Sequence, residues 1–294
     1  YLCNMHKAGF VNIIGSPNVG KSTLTNAILG QKLAITTAKA QTTRHRILGI
    51  RNSDDYQLIL SDTPGIIDPA YKLQESMMEA VQTVFDDADV LIYLVEIGEK
   101  KGKSEDVMSR LSKTNKPLIL AINKIDTGNQ KLLEETVDAW KLQLPNADIW
   151  SISALEKFQV DTLIAKIVQL LPEHPPYFPK DQLTDRSERF VVNEVIREKI
   201  LLSYDKEIPY AVEVETESFK VNESIIKISA IIYVERSSQK GILIGHKGAS
   251  LKKVGTLARK ELEQFFDKKI HLELFVKINK DWRSNPNALK RFGY

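Results

Sequence analysis

The stretch FVNIIGSPNVGKSTLTNAIL, residues 10–29, is an apolar run, a glycine-bracketed loop and a helix-like run in succession. Its centre, GSPNVGKS (15–22), satisfies the pattern G-x-x-x-x-G-K-[ST]. Gly15, Gly20, Lys21 and Ser22 stand in the required places, and Ser16, Pro17, Asn18 and Val19 lie between the glycines. A strand that ends in such a loop and resumes as a helix aims several backbone N–H groups at one point. The helix N-terminus adds partial positive charge there, and Lys21 adds a full one. The arrangement predicts a phosphate cradle, with the Ser22 hydroxyl offered to Mg²⁺ and Thr23 continuing the first turn.

Outward from this loop, further apolar runs follow: RILGI (46–50), YQLILSD (56–62), DVLIYLVE (89–96), PLILAINK (117–124) and ADIWSIS (147–153). They are almost continuously apolar, as strands covered on both faces are. Helical patterns at 21–29, 72–85, 104–113, 130–144 and 156–171 separate most of them. This alternation predicts an α/β fold with a mostly parallel six-stranded sheet. RILGI and YQLILSD are joined only by RNSDD, too short for a crossover helix, so one antiparallel edge strand is expected.

The ends of these runs carry chemistry. DTPG (62–65) places Asp62 for the Mg²⁺ shell, and Thr63 and Pro64 lead to Gly65. That glycine can donate its N–H to a terminal phosphate and change its backbone angles when the phosphate leaves. NKID (123–126) offers an Asp126 carboxylate to the N1–H and N2–H₂ edge of guanine, an edge that adenine lacks, so a buried Asp there would be poorly satisfied by ATP. Asn123 and Lys124 brace the loop and cover the base. SAL (Ser153, Ala154, Leu155) follows the sixth run and can give backbone N–H to guanine O6. GTP or GDP with Mg²⁺ is the expected ligand. Asp126 disfavours a motor or AAA-type ATPase, and nothing after NKID resembles a kinase phosphoacceptor site.

Residues 172–187, PEHPPYFPKDQLTDRS, are proline-rich and aperiodic, and read as an extended linker. Beyond them the order becomes helix, two strands, helix, loop, helix, strand and a short terminal helix, an α+β module. Its signature is KGILIGHKGASLKKVG (240–255), in which GHKG fits GxxG and resembles a type II KH domain. Gly245 and Gly248 allow close approach of a sugar–phosphate chain. His246 and Lys247 form the tip, and Lys240, Lys252 and Lys253 surround it with positive charge. Such groups hold phosphate without reading sequence, and bases would lie in an apolar groove suited to single-stranded RNA.

Bulk properties agree with two domains in 294 residues: 43% hydrophobic, 27% charged and a formal charge of +3. One cysteine, Cys3, excludes an intrachain disulfide and suits a reducing compartment. No apolar run approaches the roughly 18 residues of a membrane span. No signal peptide is expected, and Met5 reads as a plausible start.

The segment TTAKAQTTRHRILGI (36–50) occupies the place of switch I. Its QTTRHR core, the PNVGKS loop and DTPGI together resemble the Era family of GTPases, as do TDRSERF (184–190), HLELFVKI (271–278) and the terminal ALKRFGY. The resemblance implies a P-loop GTPase domain over 1–173, a linker at 174–187 and a KH domain over 188–294. It implies Thr43, in preference to Thr42, as the switch-I metal ligand beside Ser22 and Asp62, and Lys21, Thr43, Gly65 and Asn18 as the catalytic set. Ile66 stands where Ras-like enzymes place a water-orienting glutamine. The resemblance supplies a K⁺ ion held partly by Asn18 in its stead, with slow intrinsic turnover. The implied partner is the 3′ end of small-subunit ribosomal RNA during ribosome assembly. A monomer is expected, cytoplasmic, with peripheral contact at the inner membrane. Two other classes stay open at this level: a GTPase acting on protein or membrane with an unused KH-like fold, and an RNA binder with a dead nucleotide site.

Overall fold

The computed structural model describes residues 6–294, so Cys3 and the reading of Met5 as a start lie outside the described residues. The chain divides into two units, one reaching to Asp185 apart from Ala70–Leu73, which group with the other, Arg186–Tyr294.

In the first unit β1 (Lys7–Gly15) leads through the 15–20 loop into α1 (Lys21–Leu29). β2 (Ile47–Asn52) and β3 (Tyr56–Asp62) form the expected antiparallel hairpin. Then come α2 (Lys72–Asp87), β4 (Val90–Glu96), α3 (Glu105–Lys113), β5 (Leu118–Asn123), α4 (Gln130–Gln143), β6 (Asp148–Ser151) and α5 (Val160–Leu170). The sheet order is β2-β3-β1-β4-β5-β6, and every pair except β2–β3 is parallel. The continuous apolar runs are explained by two cores. Val11, Ile13, Leu60 and Ile92 meet α1 and α5 on one face. Ile14, Leu91, Tyr93 and Leu120 meet α2, α3 and α4 on the other. A parallel sheet of this kind brings β1, β3, β5 and β6 to one rim, and all the nucleotide motifs sit there.

Two departures from the sequence reading stand out. α5 starts at Val160 and not at Glu156, because residues 153–158 close a tight loop in which Ser153 and Phe158 exchange backbone hydrogen bonds of 3.3 and 3.0 Å. The stretch read as a linker is extended, but through Asp185 it is strapped to the first sheet. The buried Gln57 accepts from Tyr177 N (2.8 Å) and Phe178 N (3.0 Å) and donates to Phe178 O (2.8 Å). Ile50 N donates to Leu183 O at 2.8 Å, and Leu48 N to Asp185 Oδ1 at 3.1 Å. The four prolines of 172–187 prevent helix here, but they leave the carbonyls free to pair with an edge strand.

The second unit holds α6 (Glu188–Ser203), α7 (Ile208–Ala211), β7 (Glu213–Val221), β8 (Ile225–Val234), α8 (Ser237–Ile244), α9 (Ala249–Phe266), β9 (Lys269–Ile278) and α10 (Pro286–Phe292). Its sheet runs β7-β8-β9, antiparallel then parallel. Alternate residues of β8 (Ile226, Ile228, Ala230, Ile232, Val234) pack beneath α6 and α9. The Tyr204 hydroxyl donates to Leu243 O at 2.6 Å and pins the end of α8, from which the second glycine loop springs. Among the described residues no helix is long and apolar enough to cross a membrane.

Candidate functional site

At the rim of the first sheet, the loop after β1 bends around a cleft of about 400 Å³. Pro17, Asn18, Gly20, Lys21, Ser22, Thr23, Thr43, Thr63, Gly65 and Lys124 line it, as expected. Gly20 has φ 101°, and a Cβ on it would lie 2.3 Å from the Asn123 amide nitrogen, so the loop can close only on glycine. Lys21 is buried, and its Nζ donates to Gly15 O (3.1 Å) and Ser16 O (2.8 Å). Burial pulls its ammonium down to about 8, against the charges of Asp62 and Glu99.

Beside it, Ser22 Oγ donates to Asp62 Oδ2 at 2.7 Å and lies 2.9 Å from Thr43 Oγ1, which donates to the same carboxylate oxygen at 3.3 Å. Burial pushes the Asp62 carboxyl up from its ordinary value, against the Ser22 hydrogen bond and the Lys21 charge. Its other oxygen, Oδ1, is buried and makes no hydrogen bond. A hard divalent cation suits this convergence of three oxygen-bearing side chains with one carboxylate oxygen left over. Thr42 also lines the cleft, but its hydroxyl is engaged in its own loop, 2.7 Å from Thr37 Oγ1 and donating to Lys39 O at 2.6 Å. The geometry therefore separates the two threonines that the sequence left close.

Asn123 ties the rim together. Its amide donates to Val19 O at 2.8 Å and accepts from Ala154 N at 2.9 Å, so one side chain joins the phosphate loop to the 153–155 loop. Lys124 Nζ meets Glu96 Oε2 at 2.6 Å. Asp126 differs from expectation: it is exposed, because a 3-10 turn over Ile125–Thr127 carries it past the strand end. The SAL reading is also narrowed. The N–H groups of Ser153 and Ala154 are already bonded within the fold, and Leu155 is exposed. Ile66 is buried in the same core cluster as Val81, Val84 and Phe85. The sequence reading missed Ile35, Thr36, Thr37, Ala38, Lys39 and Gln41 on the cleft wall. They belong to the segment recognised as switch I, but their polarity alone gave them no role.

In the second unit, Gly245 ends α8, His246–Gly248 form a 3-10 turn, and α9 starts at Ala249. His246, Lys247, Lys252 and Lys253 are exposed, and Lys240 is half-buried on α8. Beside the turn is a groove of about 340 Å³ between α9 and β9, lined by Gly248, Leu251, Lys252, Gly255, Thr256, Arg259, Leu272 and Leu274. Of the predicted residues only Gly248 and Lys252 reach it. The helix periodicity places Lys253 on another face. The missed walls were legible as a stripe at 248, 251, 252, 255, 256 and 259 facing alternate residues of a strand.

With this geometry in view, comparison with known proteins gives a consistent picture. A family model described as "50S ribosome-binding GTPase" matches residues 10–124, and one described as "KH domain" matches 207–283. The GTPase Era of Thermoanaerobacter sp. (strain X514) is 46% identical over 292 residues, covering 98% of this chain and 97% of that one. The Era of Syntrophus aciditrophicus (strain SB) is 47% identical over 293 residues, covering 99% and 96%. This chain belongs to the Era family of GTPases. Two Era crystal structures each align with TM-score 0.94 and 38% identity, over 98% of this chain and 99% of theirs. One is a complex with MgGDPNP and nucleotides 1506–1542 of 16S ribosomal RNA. The other is a variant of Aquifex aeolicus Era bound to GDP·AlF₄⁻. Membership gives the Era fold to both units: a P-loop GTPase sheet followed by a KH domain.

Proposed function

We propose that this Era-family GTPase binds single-stranded RNA, specifically the 3′ end of small-subunit (16S) ribosomal RNA, in a manner set by its bound nucleotide, and acts in assembly of the small ribosomal subunit. The observation that carries this reading is the groove beside GHKG. Leu251, Leu272 and Leu274 give its lining an apolar character, Gly255 adds no side chain, and Thr256 and Arg259 supply polar groups. Flat bases stack on such walls, while His246, Lys247 and Lys252 meet the backbone. The Era complex with a 16S segment supports the choice of RNA.

On the nucleotide side, the backbone of 15–23 and Lys21 hold the phosphates, Gly65 meets the terminal one, and Asn123, Lys124, Asp126 and the 153–155 loop receive guanine. Asp126 is exposed where a base edge would cover it, and Leu155 N–H is the member of SAL left for O6. Ser22, Thr43 and Asp62 would hold Mg²⁺, which when bound offsets phosphate charge. With Ile66 buried, no side chain in that position can orient water. Asn18, at φ 65° on the cleft wall, would help hold K⁺, which would offset negative charge developing on the phosphates. A monomer in the cytoplasm, with peripheral contact at the inner membrane, belongs to the same reading.

GTP can favour RNA only if RNA binds the GTP state better, and RNA must then tighten GTP by the same factor. The test is the affinity of a fluorescent 16S 3′-end oligonucleotide with GDP and with GDPNP. Tighter binding with GDPNP is expected. Equal affinities would sink the switch, and no binding in either state would return the second unit to a protein or membrane role.

A further inference from the structure

Behind the phosphate loop, and outside the motifs, stands Glu99. It lies in the loop between β4 and α3, and its side chain is only 10% exposed. Its Oε1 accepts from Ser16 Oγ at 2.9 Å, and Ser16 is itself 2% exposed. Its Oε2 faces Glu96 N at 3.4 Å. Its backbone is fixed from the other side: the indole of the fully buried Trp140 donates to Glu99 O at 2.6 Å, and Gly98 N donates to Thr136 Oγ1 at 3.0 Å. Ser16 in turn presents its carbonyl to Lys21 Nζ at 2.8 Å. One chain of contacts thus runs from α4 through Glu99 and Ser16 to the lysine of the cleft.

We infer that Glu99 is a positioning residue for nucleotide binding, locking the second residue of the phosphate loop so that its backbone and Lys21 are held ready for phosphate. A carboxylate this close to a polyanion site is costly, by desolvation and by repulsion of the ligand. A neutral acceptor would avoid both costs. What the charge adds is support for the Lys21 ammonium and a stronger hydrogen bond from a hydroxyl, and with that bond a more rigid loop. Rigidity here is affinity, because a loop already in its bound shape loses less freedom when phosphate arrives. The inference rests on the first site being the nucleotide site.

The experiment measures the Kd of a fluorescent GDP for wild-type protein, Glu99→Ala, Glu99→Gln, Ser16→Ala and the double Ala variant. Thermal melting serves as a folding control. Glu99→Ala and Ser16→Ala should each weaken binding roughly tenfold, the scale of one charge-assisted hydrogen bond. The double variant should lose no more than either alone, since both remove one contact. Glu99→Gln, which keeps an acceptor, should stay within about threefold of wild type, and kcat of Glu99→Ala at saturating GTP should move less than about twofold. An unchanged Kd in Glu99→Ala, losses that multiply in the double variant, or a Gln variant as weak as Ala would each overturn the inference. If Glu99→Ala does not fold, Ser16→Ala and Glu99→Gln decide it by the same criteria. Failure of the wild type to bind would instead overturn the reading of the site.

Discussion

The two glycine loops of this chain look alike on paper and are built in opposite ways. In GSPNVGKS the fold backs the loop closely and leaves open only the side that faces the cleft. Gly20 backs onto Asn123, Lys21 is buried, and the loop carbonyls already hold its ammonium. In GHKG the fold fills one side only. Gly245, at φ 72° and ψ −179°, would put a Cβ 2.2 Å from Ser250 Oγ, whereas a Cβ on Gly248 would meet nothing within 4 Å. His246 and Lys247 point outward. A small ligand of fixed shape rewards a loop preorganised on all sides. A polymer must slide in from the open side, so there the second glycine is room left for a partner.

That contrast can be broken most sharply at Lys21. Lys21→Ala should weaken GDP binding roughly 150-fold, about 3 kcal/mol, as expected for deleting a desolvated charge facing phosphate, while RNA affinity without nucleotide moves less than twofold. Titration with fluorescent GDP and with RNA checks both halves. The mirror change, His246→Asp with Lys247→Asp, should weaken RNA roughly 50-fold in 0.1 M salt and flatten the salt dependence, with GTP turnover intact. Equal loss of both activities would mean that the loops are not separate tools. Third, Gly245→Ala should cost about 2 kcal/mol of stability, because its backbone angles are open only to glycine and its Cβ has no space. Gly248→Ala should cost about 1 kcal/mol from its left-handed φ alone, and its RNA loss should exceed its stability loss. Urea melts beside RNA titrations distinguish these. Smallest is the threonine pair: Thr43→Ala should raise the Mg²⁺ needed for half-maximal turnover roughly tenfold, and Thr42→Ala about twofold, since only Thr43 shares Asp62 with Ser22.

Much of this was readable in advance because the signals are periodic or chemically peculiar. Strands buried on both faces announce themselves as unbroken apolar runs, and a lysine after a glycine at the mouth of a helix has few other uses. What escaped was held by single side chains with no pattern. Gln57 looks like an ordinary polar residue inside a strand, yet its buried amide holds the strap. Glu99 sits in a charged loop, EIGEKKGK, where nothing marks one glutamate as turned inward. Asp126 reads as a buried acceptor for the N1–H and N2–H₂ edge of guanine, but in the chain itself the residue lies past the end of β5, on an exposed turn. The groove walls escaped for another reason: the charge around GHKG is the conspicuous signal, whereas the mixed helical stripe beside it, two of whose six members are charged, forms most of the surface.

The strap over 174–185 has a consequence for solubility. β2 is the outer strand of the first sheet, and an uncovered outer strand is a template on which other chains can pair and aggregate. Leu183 occupies its Ile50 N–H, and Gly49 pairs with Thr184. A proline-rich, non-helical segment is a safe cover, since it can cap the edge without itself offering a regular strand for further growth. A fragment ending at residue 173 would bare that edge and self-associate, where one ending at 185 would stay dispersed.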